Sequence, residues 1–189
     1  MLQRHEHLLD QLRRYRPADD LESRHHDALV NLLTHGRDPF SRAHFAPGHV
    51  TASVFIVEPA SNSVLLHHHR RLDRWLQMGG HIEDDEHPEI AALREGREES
   101  GLGDLELFGG IFDLDVHAIP AGKGEPDHHH FDVRYVARTW SPEAIVMASE
   151  ESKELAWVPL ARAVPLMKED ASSRVIRKIE RLLGNRSIW

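Results

Sequence analysis

The first 35 residues show hydrophobic positions at helical spacing. Two leucine stripes carry the pattern: Leu2, Leu8, Leu9 and Leu12, then Leu21, Leu29, Leu32 and Leu33. Pro17 separates the stripes, and Asp19 or Asp20 can cap the second helix. Gly36 is a suitable C-terminal stop, and residues 37–48, which contain prolines and a glycine, form a connection. The pattern therefore predicts two N-terminal helices followed by a boundary.

Beyond residue 49 the pattern changes to that of strands. The segment 50–57, a turn over 58–62 and the segment 63–69 predict a β-hairpin. Further segments follow along the chain, with strands at 105–119, 128–139 and 155–158 and helices at 88–100 and 172–183. This order predicts an α/β sandwich in which helices flank a mixed sheet. We expect an N-terminal helical extension over 1–45 and one domain over 46–189 that includes the C-terminal helix.

Composition narrows the class of protein. The chain has no cysteine, which excludes disulfides, thiolate nucleophiles and zinc–thiolate sites. The formal net charge of -8 argues against binding a nucleic-acid polymer, which needs dense basic patches. The longest apolar runs, such as 54–57, are too short to span a bilayer, and the first residues lack the apolar region of a secretory signal. We therefore expect a cytoplasmic protein without a membrane partner.

A cluster of acidic residues within the predicted helix 88–100 carries candidate chemistry. Glu95, Glu98 and Glu99 stand at i, i+3 and i+4, so they share one helix face. Clustered carboxylates repel one another unless a cation lies among them, and such hard oxygen ligands suit Mg²⁺ or Mn²⁺. A bare E-x-x-E-E pattern is more often a solvated helix face with arginine partners. Here, however, Gly80 and Glu86 precede the cluster at fixed offsets.

The stretch from Gly80 to Leu102 resembles the Nudix box, G-x5-E-x7-R-E-U-x-E-E-x-G-U, where U is a bulky aliphatic residue. The glycines, Glu86, the R-E pair, the E-E pair and the final aliphatic residue all match. The first U position departs, because it is Gly96. A glycine inside a helix costs roughly 1 kcal/mol against alanine, and we expect a bulky neighbour to fill the space it leaves.

The resemblance implies site residues and a reaction. It makes Glu95, Glu98 and Glu99 ligands of Mg²⁺ or Mn²⁺, with Glu95 or Glu99 also placed to orient water, and it gives the metal the carbonyl of Gly79. Arg94 and Glu86 would support the site, and Gly80 and Gly101 would shape the box. The implied reaction is attack of water on a phosphorus atom of a diphosphate linkage.

A further glutamate from a later loop often assists in this family. Glu150 and Glu151 lie where the resemblance puts that loop, and Glu151 is the candidate we name as catalytic. The alternative is that both belong to a solvated acidic loop.

The implied substrate is a small nucleotide-like molecule, namely a nucleoside diphosphate linked to another moiety. Three alternatives stay open: a nucleoside triphosphate pyrophosphohydrolase, a module that senses a nucleotide without cleaving it, and a histidine-rich metal-binding protein in which the box is incidental. The N-terminal helices either cover the pocket or form a homodimer contact.

Sixteen histidines are spread through the chain. Asp113, Asp115 and His117 alternate along one predicted strand, and four residues alternate along the next: His128, His130, Asp132 and Arg134. Pairing of these strands would bring the two sets together, with His81 and His67/His69 as candidate neighbours. His129 would face the other way.

Three interpretations of this set compete. The first is a solvent-exposed polar sheet face without a special role. The second is substrate binding by Arg134, His117, His130, Asp132 and His81. The third is an additional transition-metal site of mixed His/Asp ligation, for Zn²⁺ or Ni²⁺. Trp75, just before the box, is expected in the core, with stacking on a base as the alternative.

Overall fold

The computed structural model describes residues 2–122, 124–144, 152–168 and 171–185. Within them lie five helices: α1 (Leu2–Arg14), α2 (Asp20–His35), α3 (Pro88–Ser100), α4 (Leu160–Met167) and α5 (Ser172–Gly184). The described strands are β1 (Gly48–Glu58), β2 (Ser63–His69), β3 (Arg74–Leu76), β4 (Met78–His81), β5 (Glu106–Leu107), β6 (Asp113–Ile119), β7 (His128–Arg138) and β8 (Ser152–Pro159). The mixed α/β fold and the helical N-terminus predicted from the hydrophobic pattern are confirmed.

The two N-terminal helices form where the leucine stripes predicted them. Asp19 caps α2, its side chain accepting a hydrogen bond of 2.8 Å from the backbone N–H of Glu22. At the other end, the N–H of Gly36 donates to the carbonyl of Leu32 at 2.8 Å. Five leucines of the two stripes are buried: Leu8, Leu12, Leu29, Leu32 and Leu33.

The chain divides into two compact units by contacts between residues. The first unit comprises residues 1–53, 79–92 and 109–135, and the second comprises 54–78, 93–108 and 136–189. The strands β1 and β7 and the helix α3 each begin in the first unit and end in the second. The proposed division into a 1–45 extension and a 46–189 domain remains a prediction.

The strands hydrogen-bond in the order β3-β2-β1-β7-β5, while β4 pairs with β1, β6 with β7 and β8 with β2. In the second unit the predicted hairpin of β1 and β2 is antiparallel, with Ile56 opposite Leu65. Asn62 in its turn has φ 54°, a left-handed conformation that asparagine tolerates well. In the first unit β6 and β7 form a second antiparallel hairpin.

One expectation about the elements is wrong, and one helix was not predicted. The segment 105–119 is not one strand, because residues 108–112 separate β5 from β6, and Gly109 there adopts φ 73°. The helix α4 was not predicted, since it is short and contains Pro165, a residue that indicates a helix end in a sequence. No helix in the described residues is long and apolar enough to cross a membrane.

Candidate active site

The helix α3 carries the three glutamates of the box. Pro88 occupies its first position, where a missing N–H costs nothing. Gly101 follows its end with φ 74° and donates its N–H to the carbonyl of Arg97 at 2.8 Å. The glutamate spacing of i, i+3 and i+4 therefore falls within one continuous helix, as predicted.

The carboxylates of α3 converge on an arginine. Nη1 of Arg94 donates to Oε1 of Glu95 at 2.8 Å and to Oε2 of Glu98 at 3.3 Å. One cationic nitrogen thus lies between oxygens of two different glutamates. The side chain of Glu98 is 60% exposed and that of Glu95 only 17%. This geometry shows that the two carboxylates can be directed at a common positive centre.

Burial distinguishes Glu99 from an ordinary surface acid. It is only 7% exposed, and a buried carboxylate is costly unless cations or hydrogen bonds compensate for its lost hydration. A solvated helix face would account for Glu98 but not for Glu99. Three carboxylates within one helical turn, one of them buried, are a donor set that fits Mg²⁺ or Mn²⁺.

Gly96 lies on the inner side of α3. A Cβ atom added there would come within 2.8 Å of Cγ1 of Val54 and 3.0 Å of Cδ1 of Leu105. These neighbours already occupy the space that the aliphatic residue of the box would fill. The expectation that bulky neighbours compensate for this glycine is confirmed.

The loop of the box belongs to the first unit and is closed by Glu86. Its carboxylate accepts the N–H of Glu83 at 3.0 Å, and its own N–H donates to the carbonyl of Glu83 at 3.2 Å. Arg4 from α1 also donates to that carbonyl, at 2.8 Å. Glu86 thus hydrogen-bonds within this loop, and its supporting role in the site stays a prediction.

Gly79 and Gly80 lie in β4. A Cβ atom on Gly79 would stand 2.4 Å from Cβ of Ser53, so only glycine allows this approach to the neighbouring backbone.

The hairpin of β6 and β7 brings the alternating acids and histidines face to face. Three pairs stand opposite each other in its register: Asp113 with Arg134, Asp115 with Asp132, and His117 with His130. The sequence alternation predicted this convergence, and the register confirms it.

Arg134 forms the centre of a buried ionic network. It is 1% exposed, and it donates from Nε to Asp132 at 3.0 Å and from Nη2 to Asp115 at 2.9 Å. Its Nη1 lies 3.8 Å from Oδ1 of Asp113. The first interpretation, a solvent-exposed polar sheet face, is therefore wrong for Arg134 and its three aspartate partners. The prediction that Arg134 and Asp132 bind substrate is untested, but both side chains are committed to partners inside the first unit.

The surroundings of two aspartates in this network stabilise their ionised forms. Burial disfavours the ionised form of Asp115, yet the Arg134 guanidinium and a hydrogen bond from His117 outweigh it and hold the pKa of Asp115 below its ordinary value. Thr51 and Ser53 donate their hydroxyls to Asp132 at 3.1 and 2.7 Å. The network is thus held from β1 as well as from the hairpin.

The predicted histidines separate into two groups. His81, His117 and His130 come together in the first unit, with ring centroids of His130 at 5.5 Å from His81 and 5.6 Å from His117. His67 and His69 lie in the second unit, 5.6 Å apart, and Nδ1 of His67 is 2.7 Å from the hydroxyl of Ser152. His129 is exposed, as its place in the alternation predicted.

Sequence reasoning missed His49 of β1, a buried member of the first histidine group. Its ring lies 4.9 Å from that of His130 and 5.1 Å from that of His81. The signal was available, because His49, Thr51 and Ser53 alternate along the first part of this strand.

Two other predictions concerned Trp75 and the acidic residues Glu150 and Glu151. Trp75 is half-buried and stacks on His68 with ring centroids 5.4 Å apart, beside a pocket of about 320 Å³ that Trp157 also lines. Glu150 and Glu151 lie outside the described residues.

Comparisons with known proteins identify the class. The NUDIX domain family matches residues 47–179, well over half of the chain. A NUDIX-family hydrolase from Clostridium perfringens is 32% identical, with 71% of this chain and 97% of that chain covered and a TM-score of 0.54. No protein of curated function matches.

Two further solved structures share the fold at lower identity. The Ap4A hydrolase of C. elegans is 20% identical, with coverage of 71% and 97% and a TM-score of 0.59. The dihydroneopterin triphosphate pyrophosphohydrolase of E. coli is 20% identical, with coverage of 72% and 95% and a TM-score of 0.56.

The chain belongs to the Nudix family. It is a hydrolase that acts on phosphoanhydride bonds, in a family that typically cleaves pyrophosphate bonds of nucleoside diphosphate derivatives.

Proposed function

We propose that this chain uses Mg²⁺ or Mn²⁺ to hydrolyse a pyrophosphate bond in a nucleoside diphosphate linked to another moiety. The observation that carries the proposal is the convergence of Glu95 and Glu98 on one nitrogen of Arg94, together with the burial of Glu99 in the same helical turn. In the proposal these three glutamates hold the divalent ion. When bound, the ion supplies charge neutralisation for the phosphates and activation of water.

The remaining roles follow from the geometry of the box or from its resemblance to the family. Arg94 positions Glu95 and Glu98, because it hydrogen-bonds to both. Glu86 keeps the loop closed. The carbonyl of Gly79 as a ligand, the shaping roles of Gly80 and Gly101, and the assistance of Glu151 rest on the resemblance alone. His117 is retained as a substrate-contact candidate because its side chain is 39% exposed.

The substrate class is drawn from the family and from two neighbours of different specificity. One solved neighbour is named an Ap4A hydrolase and another a dihydroneopterin triphosphate pyrophosphohydrolase. A nucleoside triphosphate is accordingly the second candidate substrate. A cytoplasmic location and a homodimer stay predictions.

The test is a hydrolysis screen with and without Mg²⁺ or Mn²⁺. Nucleoside triphosphates, dinucleotides, nucleotide sugars and nucleotide cofactors are incubated with the native protein and with Glu98→Gln, and products are identified by anion-exchange chromatography. We expect metal-dependent turnover of a linked nucleoside diphosphate and a fall in kcat of about 10²-fold or more in the variant, since an electrostatic contact of the transition state is lost.

The matched control is Glu180→Gln, which removes the charge of an exposed glutamate on α5 in the same unit. It should retain native kcat and KM. Release of pyrophosphate from a nucleoside triphosphate as the preferred reaction would favour the second candidate. Binding of nucleotide without turnover by the native protein would overturn the enzymatic proposal and favour a sensor.

A further inference from the structure

Three histidines of the first unit stand close enough to share one ligand. His49 comes from β1, His81 from the end of β4 and His130 from β7, and their ring nitrogens include one from each residue that all lie within 4.8 Å of one another. No carboxylate belongs to this set. Each of the three strands therefore contributes one imidazole to the same cluster.

His49 presents an unsatisfied nitrogen in the interior. The residue is 1% exposed, and its Nε2 is buried with no hydrogen-bond partner among the described residues. Its Nδ1 lies 3.4 Å from the carbonyl oxygen of His44, which can only accept, so the ring proton belongs on Nδ1. Nε2 then carries a lone pair. A buried acceptor left without a donor is costly, and a bound cation would remove that cost.

The surrounding residues hold the histidine rings in place. The ring of His128 stacks on that of His49 with centroids 5.1 Å apart, and its Nδ1 donates to the carbonyl of Pro126 at 2.8 Å. Phe45 packs edge-on against His128 with ring centroids 5.1 Å apart. Such support reduces the side-chain entropy lost when a ligand binds.

We propose that His49, His81 and His130 bind a Zn²⁺ ion. Imidazole nitrogens suit zinc and related transition metals, whereas Mg²⁺ takes oxygen ligands, so this site and the carboxylates of α3 select different ions. Bonds of about 2.0–2.1 Å require only modest rotations of rings whose nitrogens already lie within 4.8 Å. Three protein ligands leave a fourth position for water or a phosphate oxygen. The proposal does not depend on the hydrolysis proposed above.

A second group, His7, His87 and Glu89, also brings three ligand atoms within 4.8 Å of one another. It is the weaker candidate, because Nε2 of His7 is already hydrogen-bonded to Glu89 at 2.7 Å and the side chain of His7 is 40% exposed. It serves as the rival site in the test.

The experiment measures Zn²⁺ binding by the full-length, untagged chain. The protein is stripped with a chelator and titrated with Zn²⁺ in competition with a chromophoric chelator, and Co²⁺ is added in parallel as a spectroscopic probe. We expect one tight Zn²⁺ per chain and a Co²⁺ spectrum typical of nitrogen ligands. His81→Asn and His130→Asn should weaken Zn²⁺ binding by more than about 100-fold, because loss of a direct ligand exceeds the effect of losing its outer support.

His129→Asn is the matched control, since His129 neighbours His130 on β7 but is exposed on the opposite face. It should keep native affinity. His81 is half-buried, so its variant tests the site with less disturbance than a change at buried His49, and circular dichroism verifies the fold of each protein. Zn²⁺ should raise the Tm of the native chain and of His129→Asn but not that of His81→Asn.

Zinc affinity that is unchanged in both His81→Asn and His130→Asn overturns the proposal. So does affinity that is lost only in His87→Asn or only in Glu98→Gln, because the ion would then lie at the rival group or at the carboxylates of α3. If Zn²⁺ does not bind but His81→Asn raises KM for a nucleotide, the cluster contacts substrate instead. Failure of hydrolysis with zinc binding intact would count against the proposed function alone.

Discussion

At the scale of single residues, Gly96 shows how one position can change a motif without removing its chemistry. The box has a bulky aliphatic residue there, and this chain has none. Val54 and Leu105 fill the space instead, from a buried strand and from the segment after α3. The position contributes packing and no ligand, so the neighbouring glutamates keep their helical spacing.

We expect Gly96→Ala to destabilise the protein. Alanine gains about 1 kcal/mol of helix propensity, but overpacking a filled core costs about 1–3 kcal/mol, and stiff, buried Val54 cannot easily give way. Urea denaturation monitored by circular dichroism measures the change in the free energy of unfolding. A combined Gly96→Ala and Val54→Ala variant should lose less than the sum of the two single changes, because each relieves the other. Stabilisation by Gly96→Ala alone would contradict this account of the packing.

At the scale of elements, the hairpin of β6 and β7 is organised around charge inside the first unit. Three aspartates face one arginine, and hydroxyls of β1 supply further donors to Asp132. Such a network is expensive to bury and more expensive to break, because removal of one partner leaves the others as uncompensated buried charges. The strands are thus held in register by ionic partners as well as by backbone hydrogen bonds.

Arg134→Met should therefore reduce the free energy of unfolding by about 3–5 kcal/mol, as measured by urea denaturation. Arg138→Met is the control on the same strand, since Arg138 pairs with exposed Glu106 at 3.0 Å. That change should cost no more than about 1 kcal/mol. Equal effects of the two substitutions would show that Arg134 is not the centre of a buried network.

At the scale of the whole molecule, buried neutral histidines make stability depend on pH. Burial, with contributions from His69 and His68, lowers the pKa of His67 from 6.5 to about 4. Between these values the unfolded chain binds a proton that the folded chain does not. The contribution of His67 to stability is therefore complete above about pH 6.5 and is lost as the pH falls toward 4.

The native protein should accordingly lose stability between pH 7.5 and pH 5, and His67→Gln should lose less over the same interval. Glutamine can keep a hydrogen bond to Ser152 while removing the titrating ring. The measurement is the free energy of unfolding in urea at both pH values. His129→Gln, at an exposed position, should follow the native pH dependence. An identical slope for His67→Gln and the native chain would argue against a neutral buried imidazole at this position.

The two N-terminal helices belong to the first unit and contact other parts of it. Arg4 and His7 of α1 contact Glu83 and Glu89 of the box segment. Glu22 of α2 accepts the N–H of Leu114 on β6 at 3.2 Å. The extension is therefore anchored on the loop of the box and on the hairpin, and its role as a cover of the pocket or as a homodimer contact stays a prediction.

Features that depend on nearby residues were determined by the sequence alone. The box, the glutamate face of α3, a cap at Asp19 or Asp20, the hairpin of β1 and β2 and the alternation along β6 and β7 were all predictable. Helical and extended backbones have fixed periods, so spacing by itself decides which side chains share a face. The Nudix class followed from the same local information.

Tertiary structure decided which polar residues are buried and which distant ones meet. The alternation of Asp132 and Arg134 was visible, but their burial depends on β1, which is some 80 positions away in the chain. His49 joined His81 and His130 for the same reason. The fit of Gly96 against Val54 likewise depends on a strand distant in sequence. Spacing along one element cannot report what packs against its face, because that depends on the long-range order of strands and helices.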